Sequence, residues 1–225
     1  MFDGIYSRES RSSATVACAD WRPRIARNGL CPLFKRLLDV SLSGIVLVLL
    51  APAYALIALI IVLDSPGPAL FRQKRTGLNG RVFSIYKFRT MHMTGSEGEV
   101  RHATRGDDRV TRVGRFLRET SLDELPQLVN VVRGEMAIVG PRPHAIEHDQ
   151  IYSALLPQYT ERFAVLPGLT GLAQVRGFRG EIRELNCMSR RVHNDVLYAK
   201  NWSFVGDLSI IMRTIPLLLS RVNAH

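Results

Sequence analysis

Apolar positions are spread very unevenly along this chain. Between Asp39 and Asp64 the segment VSLSGIVLVLLAPAYALIALIIVL runs for 24 residues without a charge. About 20 apolar residues in a helix suffice to cross the hydrocarbon core of a bilayer, so the run has membrane-segment length. A signal peptide fits poorly, because the run starts late and is too long for one. Pro52 lies near its middle. Its missing N–H and its ring, which crowds the carbonyl of Val48, predict a kink or break there. Lys35 and Arg36 precede the run, and Arg72, Lys74, Arg75, Arg81, Lys87 and Arg89 follow it. Basic flanks stay on the cytoplasmic side, so both ends are predicted on one face of the membrane. A re-entrant helix that turns at Pro52 and returns meets that requirement if protein groups satisfy the freed backbone. A kinked single span is the competing arrangement.

The remaining pattern is that of a water-facing domain. Residues 1–32 mix Arg, Ser and Ala without an apolar period and read as a disordered, variable tail. Residues 33–64 form the membrane segment, and residues 65–225 a cytoplasmic domain. An Asn79-Gly80 pair between the β-prone stretches Phe71 to Arg75 and Arg81 to Tyr86 predicts a hairpin. Residues 92–108 are polar and Gly-rich and read as a loop. Helices are predicted over Val110 to Leu117, Leu125 to Val132, Tyr152 to Phe163, Glu181 to Tyr198 and Phe204 to Val222. The last is apolar almost all round and is expected to be buried or close to a membrane. The fold class is therefore α+β and mostly helical, membrane-anchored through the Pro-broken helix, with a small hairpin and several amphipathic helices.

Charge narrows the partners. Lys and Arg outnumber Asp and Glu by 30 to 20, a formal charge of +10 that favours an anionic partner. Nucleic acid is disfavoured, because the basic residues lack interleaved aromatic stacking platforms and the apolar run has no place in such a protein. Cys18, Cys31 and Cys187 have no paired spacing, which points away from a disulfide framework or a zinc site and towards a reducing compartment.

Candidate chemistry centres on Thr120 to Val129, TSLDELPQLV. Ser121 and Glu124 fit a capping box, and acidic residues in a first turn complement the helix dipole. Pro126 moves the helix start towards Asp123, which lets an aspartate cap instead. The adjacent carboxylates of Asp123 and Glu124 equally suit Mg²⁺ binding, or a nucleophile with an acidic neighbour. Arg105, Arg109, Arg112, Arg115 and Arg118 precede the pair, and Arg133 follows it. Arg142 stands between Pro141 and Pro143, whose rings restrict its backbone as a positioned phosphate fork requires. A solvated basic face is the plainer reading for each arginine other than Arg142. His144 and His148 share a helical face but lack a further metal ligand. Pro167 to Gly171 and Gly177 to Gly180 match no nucleotide-binding glycine motif, though such loops bring N–H groups near phosphates.

Several segments in one order carry a resemblance. They are Lys35-Arg36 with Asp39, the Pro-broken run, Phe71 to Gly77, Lys87 to Met91, Ser121 to Gln127, Gly140 to Pro143, Pro167 to Gly171 and Asn201 to Ser203. Together they resemble the bacterial sugar transferases, the monotopic polyprenyl-phosphate phosphoglycosyl transferases that start exopolysaccharide and O-antigen synthesis. The likeness covers roughly Leu33 to Leu219.

The resemblance implies Mg²⁺-dependent transfer of a sugar 1-phosphate from a UDP-sugar to undecaprenyl phosphate at the cytoplasmic face of the bacterial inner membrane, with galactose or glucose as the sugar. Asp123 matches the family's nucleophile and Glu124 its acidic partner, with both carboxylates as metal candidates. Lys35, Arg36, Lys87, Arg89, Arg118, Arg142, Gln174 and Arg179 are the candidates for holding phosphates and substrate. A cation close to Asp123 is expected to keep it ionised. Arg176-Gly177 stands where the family often has Asn-Gly, and Phe178 where Trp is common, which leaves the sugar open. Membrane lipids are the remaining expected partner, and a homodimer is left open. A basic membrane scaffold of the polysaccharide machinery is the non-catalytic alternative.

Overall fold

The computed structural model describes residues 31–93, 107–180 and 184–219. Residues 1–30 of the expected tail, Arg105 and most of the 92–108 loop lie outside the described residues, while Cys31 and Pro32, counted in that tail, begin the first helix. The chain is mostly helical, with two two-stranded sheets. Helix α1 (Cys31–Leu49) and helix α2 (Ala51–Asp64) meet at 63°, with Leu50 at the break and Pro52 in the first turn of α2, where its missing N–H costs nothing. The bend expected from Pro52 is present. Among the described residues no single helix is long and apolar enough to cross a membrane, whereas the bent pair together has the length and composition. Both helices leave large apolar side chains uncovered, among them Phe34, Ile45, Val48, Leu59 and Leu63. The inner face of α2 packs Ile61 against Phe88 and Leu117.

The hairpin is also present. Strand β1 (Leu70–Thr76) pairs antiparallel with β2 (Val82–Phe88), from Leu70 opposite Phe88 to Thr76 opposite Val82. Asn79 and Gly80 both take positive φ (53° and 76°), the conformation that an Asn-Gly turn supplies at least cost. Helices α3 (Arg112–Thr120) and α4 (Gln127–Arg133) fall close to their expected positions.

A second sheet has no counterpart in the sequence reading. Strands β3 (Ala137–Val139) and β4 (Gly168–Thr170) pair in parallel. The glycines of Pro167 to Gly171 serve this contact. A Cβ at Gly168 would sit 2.1 Å from the Gly140 nitrogen, and one at Gly171 2.2 Å from the Gly140 oxygen. They allow close backbone approach at β3, the strand that leads into Arg142, where the sequence had suggested a phosphate-facing loop.

Two helix expectations need correction. The stretch Tyr152 to Phe163 is not one helix: α5 (Ile146–Leu155) stops before Pro157, and a 3-10 helix covers Tyr159–Ala164. Pro157 disfavours helical backbone at Leu156, which is extended (φ −124°, ψ 107°). After the single-turn α6 (Leu172–Val175), helix α7 spans Leu185–Lys200 and α8 spans Phe204–Leu219. The α8 helix is not buried as its composition allowed, since Val205, Leu208, Met212 and Ile215 are exposed. Its inner side reaches Val139, Tyr198 and Trp202 through Ile210.

Candidate active site

Helix α3 ends at Ser121, which adopts a left-handed conformation (φ 59°, ψ 17°) and returns its N–H to the Arg118 carbonyl at 3.1 Å. This reversal feeds a single 3-10 turn, Leu122–Glu124, after which Pro126 opens α4. Asp123 and Glu124 thus occupy the elbow between two helices. Neither capping expectation holds: no side chain caps the 3-10 turn or α4. The Ser121 hydroxyl accepts from Arg179 Nη2 at 2.6 Å instead.

One wall of the elbow is β2, held by a residue that the sequence reading passed over. Asn130, fully buried in α4, accepts from the Tyr86 N–H at 3.1 Å and donates to the Ser84 carbonyl at 2.7 Å. Its amide thereby occupies the free edge of β2 as a neighbouring strand would, fixing α4 beside the strand that carries Lys87. Lys87 Nζ then lies 2.9 Å from Glu124 Oε1 and 3.9 Å from Asp123 Oδ2. From the opposite side Arg142 engages Glu124 with its fork, Nη1 to Oε2 at 3.0 Å and Nη2 to Oε1. The backbone of Arg142 is held as well, its carbonyl accepting from Arg162 Nη2 at 2.5 Å. Arg162 is completely internal, bonded to Asp195 at 2.9 Å and to the His144–Tyr159 pair.

The two carboxylates therefore differ sharply. Burial alone would raise the pKa of Glu124, but Arg142 and Lys87 overcome it and hold the carboxyl well below its usual range. Asp123 accepts no hydrogen bond among the described residues, and its nearest cation is the distant Lys87. Burial pushes its pKa up, with Lys87 opposing and Glu124 adding to the rise. Against the expectation that a neighbouring cation keeps Asp123 ionised, burial outweighs the opposing charges of Lys87, Arg142 and Arg118, and the hydrogen bonds of Lys87 and Arg142 go to Glu124. Two more buried guanidinium groups lie close by: Arg75 interacts with Glu124, and Arg191 donates to the Gly180 carbonyl at 2.7 Å; burial, and after it the charge of Arg142, lowers each to about 10.

The structure gathers Lys87, Arg118, Arg142 and Arg179 around the dyad; Arg118 Nε bonds Thr90 Oγ1 at 2.9 Å and faces Asp123. Three other candidates are committed to the fold. Arg89 is buried and clamps the end of α2, donating to the carbonyls of Ser65 (2.6 Å), Ile61 (3.3 Å) and Pro66. Lys35 pairs with Asp207 at 2.6 Å, and Arg36 caps α4 through the carbonyls of Val131 (2.6 Å) and Val132 (2.9 Å). Gln174 is buried, with its amide nitrogen unpartnered. His144 is enclosed and kept neutral by burial and Arg162, while His148 lies against Tyr152, so the two imidazoles form no metal pair. Arg75, Arg162 and Arg191 were not singled out from sequence. The signal available for Arg191 was the i,i+4 spacing to Asp195.

Among the described residues no third His, Cys, Asp or Glu joins the dyad. Two hard carboxylates, one of them without a hydrogen bond, still fit Mg²⁺, which binds through one or two carboxylates and completes its shell with water and substrate phosphate.

Comparison with known proteins identifies the family. The chain is 53% identical over 203 residues to the UDP-glucose:undecaprenyl-phosphate glucose-1-phosphate transferase of Caulobacter vibrioides, covering 90% of this chain and 74% of that protein. It is 46% identical over 188 residues to the protein of the same name from Klebsiella pneumoniae, covering 84% of this chain but only 40% of the relative. It is 43% identical over 193 residues to the exopolysaccharide production protein PSS of Rhizobium leguminosarum, covering 84% and 96%. The model of the family described as bacterial sugar transferase matches residues 31–221, a span that holds the bent helix pair, the dyad elbow and every cation around it, and the chain belongs to that family.

Proposed function

We propose that this chain transfers glucose 1-phosphate from UDP-glucose to undecaprenyl phosphate, releasing UMP, as the first step of exopolysaccharide synthesis. Glucose is preferred over galactose because the Caulobacter and Klebsiella relatives are named for UDP-glucose. The observation that carries the mechanism is the asymmetry of the dyad: Glu124 is gripped by Lys87 and Arg142, while Asp123 keeps its lone pairs.

An Asp123 oxygen attacks the phosphorus nearer the sugar. The new O–P bond forms as the bridging P–O bond of the diphosphate breaks, and UMP leaves with that electron pair. The lipid phosphate then attacks the same phosphorus, breaking the aspartyl phosphate and restoring the Asp123 carboxylate. Two displacements let one phosphate site serve two bulky substrates in turn. Arg142 and Lys87 hold Glu124 as a fixed anion and present their remaining N–H groups to phosphate oxygens, while Arg118 and Arg179 close the rim; such positioning and charge neutralisation dominate phosphoryl transfer. Mg²⁺, held by Asp123 and Glu124, would neutralise diphosphate oxygens. The bent apolar pair α1–α2 anchors the chain as a re-entrant element at the cytoplasmic face of the inner membrane.

The test is UMP release by the full chain in lipid nanodiscs, with undecaprenyl phosphate, Mg²⁺ and a panel of UDP-sugars. UDP-glucose is expected to be used best, and Asp123→Asn to abolish release while leaving the melting profile cooperative. Turnover by that variant at the unmodified rate would rule out Asp123 as nucleophile.

A further inference from the structure

Lys35 was expected to hold the lipid phosphate, and its surroundings argue otherwise. An ammonium group has three N–H donors. In Lys35 one goes to Asp207 Oδ2 at 2.6 Å and another to the Val139 carbonyl at 3.3 Å, and Asp39 lies at 3.7 Å on the remaining side. The side chain is buried, with its donors turned into the protein. Asp207, in the first turn of α8, is just as fully engaged, taking Trp202 Nε1 at 3.0 Å on the same oxygen and facing the Tyr198 hydroxyl at 2.9 Å with the other.

What this cluster holds is strand β3. The Tyr198 hydroxyl lies 3.0 Å from the Val139 carbonyl, the one that Lys35 also approaches, and Asp39 Oδ1 accepts the Ile138 N–H at 3.2 Å. Groups from α1 and α7 thus grip two consecutive residues of β3, with Asp207 of α8 tying Lys35 and Tyr198 together. On its other side Gly168 of β4 and the following Gly171 allow close backbone approach at Gly140. Three residues beyond Val139 comes Arg142, whose fork sets Glu124.

We infer that the Lys35–Asp207 ion pair is a positioning device: it seats helix α1, half of the bent apolar pair, on the strand that delivers Arg142, so the anchor and the phosphate site share one register. Lys35, Asp207 and Tyr198 act through Arg142 and touch no substrate. The inference rests on the transfer reaction proposed above.

The test uses the full chain in nanodiscs, with Asp207→Asn, Lys35→Met, the double variant and the isosteric Tyr198→Phe. Misplacement of a charge-stabilising group lowers turnover, so kcat is expected to fall about tenfold to a hundredfold in each charge variant, with KM for undecaprenyl phosphate changed less than about twofold. The double variant is expected to be no worse than the worse single one, as for groups acting together. Tyr198→Phe is expected to lower kcat about threefold, and it decides the matter if the charge variants fail to fold. A rise in KM for undecaprenyl phosphate with kcat intact in Lys35→Met would return Lys35 to the lipid. Unchanged kcat in both Asp207→Asn and Tyr198→Phe would remove the device. A second readout needs no turnover: the melting loss caused by Arg142→Met shrinks in the Tyr198→Phe or Asp207→Asn background if the cluster sets the fork, and an unchanged loss overturns the inference. Failure of the reaction itself, with no UMP released from any UDP-sugar, leaves that melting result standing and is a separate outcome.

Discussion

Replacing Arg142 by Met removes two of the three hydrogen bonds that Glu124 receives, leaving only Lys87 at 2.9 Å. Stranding one partner of a buried ion pair costs about 3–5 kcal/mol. Here the Arg142 side chain keeps 27% of its exposure and Glu124 13%, and Lys87 stays, so the expected loss is reduced to about 2–3 kcal/mol. For a chain of this size that is about 5–10 °C in melting temperature, measured by far-ultraviolet circular dichroism in nanodiscs. Turnover is expected to fall about 10²–10³-fold, the effect of losing one aimed charge-stabilising donor.

A second substitution separates charge from packing. Glu124→Gln added to Arg142→Met removes the stranded anion and is expected to recover at least about 1 kcal/mol, a coupling that a double-mutant cycle reads directly. Arg142→Lys restores one charge but not the planar fork, and is expected to recover less than half of the stability. Arg133→Met is the control: this exposed arginine bonds Tyr86 at 2.6 Å and is expected to shift stability by less than about 0.5 kcal/mol. If Arg142→Met melts within about 2 °C of the unmodified protein, or if the cycle is additive, the fork is an ordinary surface pair and the electrostatic account of the dyad fails.

Asp123→Asn is expected to remove transfer and yet to raise the melting temperature at pH 7. The folded pKa of Asp123 lies above its ordinary 3.8, so ionisation penalises the fold at neutral pH; the penalty fades as pH falls through the folded value and is gone below 3.8, where the two proteins should melt alike. Arg89→Met is expected to cost about 3 kcal/mol through the carbonyls it abandons at the end of α2, with KM for the UDP-sugar unchanged; a raised KM with normal melting would return Arg89 to the phosphate site. Gly114→Ala places a Cβ 2.1 Å from the Thr90 carbonyl, so α3 must shift and carry Arg118 away from Thr90, with a stability loss of about 1–3 kcal/mol and a lower kcat. For the anchor, a maleimide that does not cross membranes is expected to leave both Cys18 and an introduced Glu97→Cys unlabelled in intact cells, each tested with the other cysteines replaced by serine; labelling of either would exclude a same-side re-entrant element.

Much of the fold was legible because its strongest signals are local. The charge-free run and Pro52 foretell the bent pair, and Asn79-Gly80 foretells a hairpin whose central residues do take positive φ. Pro157 was equally visible, and should have divided the stretch Tyr152 to Phe163. The β3–β4 pair was beyond reach, since strands of three residues have no readable period and their pairing depends on glycines far apart in sequence. Asn130 carried a signal that was not used: a lone amide inside the apolar stretch Leu128 to Val132 needs partners when buried, and it finds them on the edge of β2.

The arginines show where sequence ceases to discriminate. Arg89 and Arg142 both stand in motif-like segments close to prolines or aromatic residues, yet one guanidinium meets the carbonyls that end α2 and the other a carboxylate. A fork spent on backbone oxygens at a helix end is buried away from any ligand, whereas one that shares a single carboxylate with a lysine fixes an anion and keeps part of its surface exposed. The same distinction applies to the acids. Spacing presents Asp123 and Glu124 as equivalents, and only the third dimension gives the hydrogen bonds of Lys87 and Arg142 to Glu124. Burial with no hydrogen bond to offset it makes Asp123 costly to keep ionised, and the same lack of partners leaves its oxygens open to phosphorus. The stability that the fold forgoes at Asp123 and the reactivity proposed for it therefore have one physical origin, so a substitution that relieves the first must remove the second.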